Sequence, residues 1–151
     1  MMQYFAFLIT LLAFLGASQP VRERADDSWS VKSFSSYVGP HSISQMTAFS
    51  LLESPEATET ITCSNATGAA ISATPYLVPV VDGDCAPGSG FNFSFRQLQD
   101  YAVELSVKHA ESGRVATWTS GTESVTTTTT GDDPFDTLTS YVGPREFALA
   151  F

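Results

Sequence analysis

Short runs in which apolar and polar side chains alternate constrain the fold of this chain more than any other feature. Residues 91–95 place phenylalanine at every second position, and residues 101–108 alternate large apolar side chains with Ala, Glu, Ser and Lys. A period of two residues is that of a β-strand with one buried face. No window of a dozen residues keeps the 3.6-residue apolar period of a helix, so the sequence predicts an all-β sandwich or barrel.

Other segments of the same kind are separated by turns rich in Gly, Pro and Asp. The predicted strands are residues 28–34, 42–52, 58–64, 75–81, 114–119, 122–130 and 145–151, and the predicted loops and turns are residues 65–68, 82–84, 87–90, 110–113 and 131–134. Residues 42–52 have apolar side chains on both faces, which predicts a β-bulge within them. Pro79 predicts that residues 75–81 form an edge strand or an irregular crossing. The threonine-rich residues 122–130 would also suit a short O-glycosylated linker.

One pentapeptide, Ser-Tyr-Val-Gly-Pro, occurs twice, at residues 36–40 and 140–144. Its period and copy number do not suit a solenoid. We interpret the two copies as similar strand ends that are neighbours where the sheet closes. Chance similarity is the alternative, since Gly-Pro turns are common.

An apolar run at residues 4–17 characterises the N-terminus. At about 14 residues it is too short to cross a bilayer, which requires about 20. Small residues follow it, as at the cleavage site of a secretory signal. We predict a signal peptide at residues 1–18, and hence a secreted, extracellular protein; a buried core helix is the alternative. Residues 19–27 are predicted to be a flexible tail or a short pro-segment cut after Arg24, and residues 28–151 a single β-domain.

The chain carries a formal net charge of −9, and none of its charged residues lies in the predicted signal peptide. The seven Lys and Arg are spread along the chain without a basic cluster. We therefore expect neither nucleic acid nor an anionic membrane as a partner. The acidic surface instead predicts a basic partner.

Cys63 and Cys85 are the two cysteines of the chain and lie 22 positions apart. A small, even number of cysteines in a secreted protein favours one structural disulfide over a metal or redox site. No Cys-x-x-Cys motif is present, and the two His are scattered. Closing a loop of this length is worth about 3 kcal/mol in the chain-entropy model.

Two N-glycosylation sequons begin at Asn65 and Asn92. Asn65 is predicted to lie in a loop and is followed by a Thr acceptor, so it is the favoured site. Asn92 is predicted to point outward from a strand and is followed by a Ser acceptor. An unmodified surface asparagine is the alternative at both positions.

No residue pattern indicates a catalytic, metal or cofactor site. His41 and His109 are the only imidazoles, and the chain contains no Gly-x-Ser-x-Gly elbow. Asp82 with Asp84, and Asp132 with Asp133, are the obvious carboxylate pairs, as a glycosidase would need. Both pairs lie in predicted Gly-containing turns, where Asp is favoured for structural reasons. We predict that the protein is not an enzyme and binds neither a metal nor a cofactor.

Five aromatic residues could furnish a surface that binds sugars or phenolic compounds: Trp29, Trp118, Tyr37, Tyr76 and Tyr141. Trp29 shares a strand face with Val31, and Trp118 shares one with Ala116. We therefore expect both tryptophans to pack in the core or line the interior.

An ordered set of motifs resembles the Alternaria major-allergen-like family of small secreted fungal proteins. The set begins with Trp-x-Val-x-x-Phe at residues 29–34, continues with a Thr-Cys pair at residues 62–63, and has a partner cysteine at position 85. The aromatic strand at residues 91–95 and the amphipathic strand at residues 101–107 complete it. The resemblance covers residues 29 to about 125, and no single motif in it is very specific.

The resemblance implies an antiparallel β-barrel without catalytic activity. It also implies an extracellular effector, elicitor or allergen that binds host components, with a host extracellular protein or a small ligand as the partner. This chain lacks the N-terminal cysteine that links some members of the family into dimers, and the second disulfide near residues 126–133. We therefore expect a monomer or a non-covalent dimer.

Two other functions follow from the same sequence. One is a carrier that holds small hydrophobic or phenolic ligands in the barrel lumen. The other is a glycan-active enzyme that uses the paired carboxylates.

Overall fold

The computed structural model describes residues 28–70 and 74–151, so the predicted signal peptide and the N-terminal tail lie outside the described residues. The described chain is all-β, with one short 3-10 turn, η1, at Gln99–Tyr101. Its strands are β1 (Trp29–Val38), β2 (Ser44–Leu52), β3 (Ile61–Gly68), β4 (Val80–Cys85), β5 (Phe91–Gln97), β6 (Val103–His109), β7 (Val115–Thr119), β8 (Val125–Thr129), β9 (Thr137–Tyr141) and β10 (Phe147–Leu149).

All strand pairs are antiparallel, in the order β7-β6-β5-β4-β3-β2-β1-β9-β8. The short β10 pairs with the beginning of β1. The next residue, Ala150, exchanges two backbone hydrogen bonds with Thr117 in β7, at 2.8 and 3.1 Å. The sheet therefore curls until β10 lies between its first and seventh strands, which confirms the predicted antiparallel β-barrel.

Strand β1 changes its partner halfway along its length. Its first residues pair with β10, while Tyr37 and Val38 pair with β9. Between these two regions the register with β2 shifts, and Ser33 adopts a positive φ of 55°. The bulge between these strands thus lies in β1, where none was predicted. The prediction for β2 is wrong because its inner face is partly polar: Gln45 and Thr47 are buried there.

The two copies of the repeated pentapeptide are neighbours in the sheet, as predicted. Tyr37 of the first copy pairs with Ser140 of the second, and Val38 pairs with Thr139. The place differs from the prediction, because the sheet closes through β10 and β7. The two copies instead mark the point at which the β8–β9 hairpin joins β1.

Aromatic rings fill most of the interior. We call this set the aromatic core: Trp29, Phe34, Phe49, Phe91, Phe93, Phe95 and Phe147. Phe34 is fully buried, and its ring contacts those of Phe49, Phe95, Tyr141 and Phe147 at centroid distances between 4.9 and 6.1 Å. The predicted inward-facing phenylalanines of β5 are all buried, as are Val103, Leu105 and Val107 of β6. Burial of these side chains is the main favourable contribution to folding.

Polar side chains occupy the interior at the other end of β1, β2 and β3. We call this set the polar layer: the buried Ser36, Gln45, Thr47 and Thr139 and the half-buried Thr67, Gln97 and Thr127. Ser36 and Thr47 share a hydrogen bond of 2.8 Å, and Thr127 and Thr139 share another of 2.8 Å. These contacts satisfy hydroxyl groups that would otherwise be buried at a cost.

Residues 74–79 run across the polar layer without forming a strand, which agrees with the predicted irregular crossing at Pro79. The backbone of this segment bonds to the side-chain amides of two glutamines in place of a neighbouring strand. The Gln45 amide accepts from the Val78 N–H at 2.6 Å and donates to the Val78 carbonyl at 2.9 Å. The Gln97 amide accepts from the Leu77 N–H at 2.8 Å and donates to the Pro75 carbonyl at 3.0 Å.

Other boundaries also differ from the predictions. Tyr101, predicted to begin an amphipathic strand on its inward face, lies in η1 with a positive φ of 58° and is exposed. Residues 65–68 belong to β3 and are not a loop, because they continue its pairing with β2. Residues 82–84 belong to β4 and are not a free turn; Asp82 has a positive φ of 54°, and the register with β5 shifts beside it. Gly83 lies under the Phe93 ring, where a Cβ would come within 2.5 Å of Cζ. Strand β9 was not predicted.

Candidate functional site

The disulfide between Cys63 and Cys85 is confirmed. The two cysteines are directly opposite each other on β3 and β4, with 3.8 Å between their Cα atoms. Cys63 is fully buried and packs in the core. A bond of this kind in a β-domain is compatible with an extracellular protein.

The two sequons lie on different faces of the barrel wall. Asn65 follows Cys63 by two positions in β3, so both side chains are on the inward face, and Asn65 is half-buried. The expected loop position of Asn65 is therefore wrong. Asn92 lies on the outward face of β5, in register with Asp84 on one side and Lys108 on the other. Glycosylation of either residue stays a prediction.

The acceptor residue of the first sequon occupies an unusual position. The Thr67 hydroxyl is buried, and no described group lies within hydrogen-bonding distance of it. Thr67 in β3 lies opposite Gln45 in β2. The Gln45 amide donates to the Val78 carbonyl and not to Thr67. An unsatisfied buried hydroxyl is costly, so this residue weakens the polar layer.

The two histidines each have one polar neighbour on the surface. His41 Nε2 lies 2.6 Å from the Asp136 carboxylate, and this pair joins the β1–β2 turn to the β8–β9 hairpin. His109 Nδ1 lies 3.0 Å from the Ser112 hydroxyl within the β6–β7 turn. The His109–Ser112 pair also bonds the turn backbone. Both arrangements stabilise turns.

Metal clusters and membrane-spanning helices are two further kinds of site that bear on residues 28–70 and 74–151. No three His, Cys, Asp or Glu side chains in these ranges come together as a metal site would require. None of the helical segments in the same ranges has the length and apolar character to cross a bilayer. The expectation that the protein binds no metal or cofactor stays a prediction.

The five aromatic residues of the predicted binding surface do not lie together on one surface. Trp29 and Tyr141 are buried, while Tyr37 and Tyr76 are 44% and 45% exposed. Trp118 is half-buried and stacks on Phe147, with 3.7 Å between the ring centroids and 11° between the planes. Three of the five rings therefore pack against the core, as expected for both tryptophans.

An open groove of about 450 Å3 lies where β1 passes from β10 to β9. Its lining combines rings, hydroxyls and one cation: Phe34, Ser35, Ser36, Tyr37, Leu138, Ser140, Tyr141 and Arg145. Arg145 donates from Nε to the Phe34 carbonyl at 3.3 Å, and its own carbonyl accepts from the Phe34 N–H at 2.9 Å. The groove is thus formed by β1 from its bulge onward, by β9, and by Arg145 in the segment between β9 and β10.

Tyr141 forms the buried wall of this groove. Its hydroxyl donates to the Pro144 carbonyl at 2.8 Å, and burial raises the pKa of Tyr141 to about 12. The phenol therefore stays neutral at physiological pH. A side chain at Gly143 would collide with the same phenol ring, so the second pentapeptide positions its own tyrosine.

Sequence reasoning did not identify this groove. Its members come from β1 and from residues 138–145, which are about a hundred positions apart. The repeated pentapeptide was the available clue, since it supplies both tyrosines. Arg145 carried no sequence signal of its own.

No protein-family model matches this chain, and neither the curated proteins nor the solved structures contain a significant match. The resemblance to the Alternaria major-allergen-like family therefore stays an expectation.

Proposed function

We propose that the protein is a secreted, non-enzymatic, effector- or elicitor-like protein that binds extracellular components of a host plant. The observation that carries this proposal is an acidic surface on which three of the five Lys and Arg in the described residues make contacts within the chain. The predicted signal peptide and the disulfide support the extracellular setting. The partner expected from the charge is a basic extracellular protein.

Three arginines illustrate this engagement. Arg96 pairs with Glu104 at 2.7 Å, which raises the pKa of the Arg96 guanidinium. Arg114 lies 3.8 Å above the centroid of the Phe151 ring, as a cation–π contact requires. Arg145 bonds the Phe34 carbonyl. With a net charge of −9, the remaining field is negative and would accelerate encounter with a basic partner.

Exposed carboxylates extend along loops at both ends of the barrel. Glu53, Glu56 and Glu59 are exposed in the β2–β3 connection, and Asp132 and Asp133 are exposed at the tip of the β8–β9 hairpin. These positions are accessible to a macromolecule. Surface recognition, without turnover, is the mechanism that this distribution supports.

The test is capture from host apoplastic fluid with immobilised residues 19–151. We expect basic proteins to be enriched, to elute as salt is raised, and to bind less to Asp132→Asn/Asp133→Asn. Asn retains the Oδ1 atom with which Asp133 accepts the Phe135 N–H, so the tip keeps its hydrogen bond. Capture that salt and these substitutions leave unchanged would remove the electrostatic argument, and no capture at all would overturn the proposal.

The groove beside β1 favours a second candidate, a carrier of small phenolic or hydrophobic ligands. Phenylalanines occupy the barrel interior, so the groove is the better place for such a ligand than the lumen. Equilibrium dialysis with a phenolic acid should show saturable binding, and Arg145→Gln should weaken a ligand that carries a carboxylate. Absence of saturable binding would exclude this carrier role. Screening on cell-wall polysaccharides tests the third candidate, a glycan-active enzyme.

A further inference from the structure

Strand β8 forms the open end of the sheet. It pairs with β9 on one side, and it is the last strand in the pairing order. The opposite end of that order, β7, is covered by the bridge to Ala150. Of the two ends of the pairing order, that of β8 is therefore the one without a partner in the described part of the chain.

The hydrogen bonds that flank the hairpin show which residues of β8 face outward. Val142 donates to the Ser124 carbonyl at 2.8 Å, and Thr130 donates to the Asp136 carbonyl at 2.6 Å. Bonded pairs alternate along an antiparallel ladder. The backbone groups of Thr126 and Thr128 consequently face β9, while those of Val125, Thr127 and Thr129 point away from it. No hydrogen bond from another described segment reaches these three backbones.

Strand β8 lacks the features that usually protect an edge. Its sequence is Val-Thr-Thr-Thr-Thr, without a proline or a charge, and its register with β9 is regular. Natural edges are commonly protected by lysine, proline or a bulge. Branched side chains also favour the extended conformation that an added strand needs.

An acidic pocket lies in line with this edge. Glu123 and Ser124 donate their N–H groups to the carbonyls of Asp100 and Tyr101, at 2.8 and 3.0 Å. These bonds hold η1 beside the start of β8, while the Ser124 carbonyl bonds β9. Asp100, Tyr101, Thr122 and Glu123 line about 270 Å3 of open space, and Tyr101 is 46% exposed.

The chemistry of this pocket suits a basic side chain. Two carboxylates would pair with an ammonium or guanidinium group, and the tyrosine ring would contact its face. At the other end of β8, Asp132 and Asp133 are exposed. Both ends of the edge are thus acidic, so antiparallel pairing with a second copy would bring like charges together.

We propose that β8 is a docking edge to which a basic partner protein adds an extended segment as a further strand. The segment bonds the outward backbones of Val125, Thr127 and Thr129, and it places a Lys or Arg in the pocket of Asp100 and Glu123. This proposal rests on the proposed function, since it assigns the surface by which the extracellular partner is recognised. Main-chain bonds provide affinity, and the acidic ends select the partner.

The test compares capture from apoplastic fluid by residues 19–151 and by edge variants. Thr127→Pro removes an outward N–H while leaving the bonds to β9 in place, and we expect it to reduce capture of the basic proteins about tenfold or more. Thr128→Ala is the matched control, with an unchanged backbone, and should capture as the wild type does. Asp100→Asn/Glu123→Gln removes the pocket charges and should reduce capture to a similar extent.

A second measurement does not depend on the folding of Thr127→Pro. Hydrogen exchange on the wild type should show slower exchange of the Val125, Thr127 and Thr129 amides when the captured fraction is added. Equal capture by wild type and all variants, with unchanged exchange, overturns the docking edge and leaves the proposed function standing. If exchange of these amides slows as the concentration of the wild type is raised, without the captured fraction, then a second copy of this chain occupies the edge and the assigned partner is overturned. No capture by the wild type overturns both proposals.

Discussion

The aromatic core and the polar layer fill the same barrel by different physical means. In the aromatic core, the Phe34 ring contacts four other rings. The phenyl side chain has no hydrogen-bonding group, so these contacts are packing contacts. In the polar layer, Gln45 makes two hydrogen bonds to a single residue, Val78. The stability of the aromatic core depends on how completely side chains fill its volume, whereas that of the polar layer depends on the orientation of its hydrogen bonds.

This difference predicts how each region tolerates change. A core of rings loses stability in proportion to the volume removed, and it accepts another apolar side chain of similar size. A buried polar network loses stability whenever one partner is left unpaired, even if the volume is preserved. Five predictions test this contrast, in order of decreasing effect.

Phe34→Ala should lower the free energy of unfolding by about 3–5 kcal/mol. The change empties the space at the centre of the aromatic core, where Phe34 is fully buried. Urea denaturation gives the value, and Phe34→Leu is the control that retains much of the volume. A loss of under about 1 kcal/mol for Ala would mean that the core collapses around the gap.

Cys63→Ala/Cys85→Ala should lower the free energy of unfolding by about 3 kcal/mol, because it releases the loop between β3 and β4 in the unfolded chain. Reduction of the wild-type disulfide is the matched control and should lower the melting temperature similarly. Full thermal stability of the reduced protein would show that the aromatic core alone holds these strands together.

Gln45→Leu should cost about 2–3 kcal/mol although the side chain keeps its approximate size, because the Val78 N–H and carbonyl lose their partners. Met46→Leu, an apolar exchange at an exposed position of the same strand, is the control. Chemical denaturation provides the comparison. An unchanged free energy of unfolding in Gln45→Leu would refute the view that oriented hydrogen bonds stabilise the polar layer.

Tyr141→Phe should cost about 1 kcal/mol at neutral pH, since it removes the hydrogen bond to Pro144. Burial raises the pKa of Tyr141 from about 10 to about 12, so the folded chain retains the proton after the unfolded chain has lost it. The wild-type free energy of unfolding should therefore fall as pH rises from about 10 to about 12. This fall should be smaller in Tyr141→Phe, and equal slopes would contradict the shift.

Thr67→Val should raise the free energy of unfolding by about 0.5–1 kcal/mol, since it removes the buried hydroxyl that lacks a described partner. The substitution also destroys the sequon of Asn65. The measurement should therefore use protein from a host without N-glycosylation, with Asn65→Gln as control. A destabilised variant would indicate that the hydroxyl is satisfied.

The aromatic core was largely predictable from the sequence. Alternation at residues 91–95 and 101–108 identified the inward faces of β5 and β6, except that Tyr101 lies in η1 and is exposed, and the turn at residues 110–113 identified their neighbour β7. Two cysteines in a predicted secreted chain identified the disulfide. These predictions succeed because apolar burial follows the period of the strand directly.

The polar layer was not predictable by the same reasoning. An inward Gln45 or Thr47 looks like an exposed residue in a sequence, so β2 was given a bulge that it does not need. Residues 65–68 and 82–84 carry the composition of turns, yet pairing with β2 and the Phe93 ring places them in strands. The groove and the β8 edge depend on contacts between distant segments, which no local pattern records.

Closure of the barrel through β10 makes the timing of folding dependent on synthesis. Strand β10 is translated after every other strand of the sheet, yet it pairs with β1, about 120 positions earlier. Contacts so distant along the chain form slowly. Until β10 has been made, the beginning of β1 and the outer side of β7 both lack this partner, so the barrel stays unclosed while the preceding strands are synthesised.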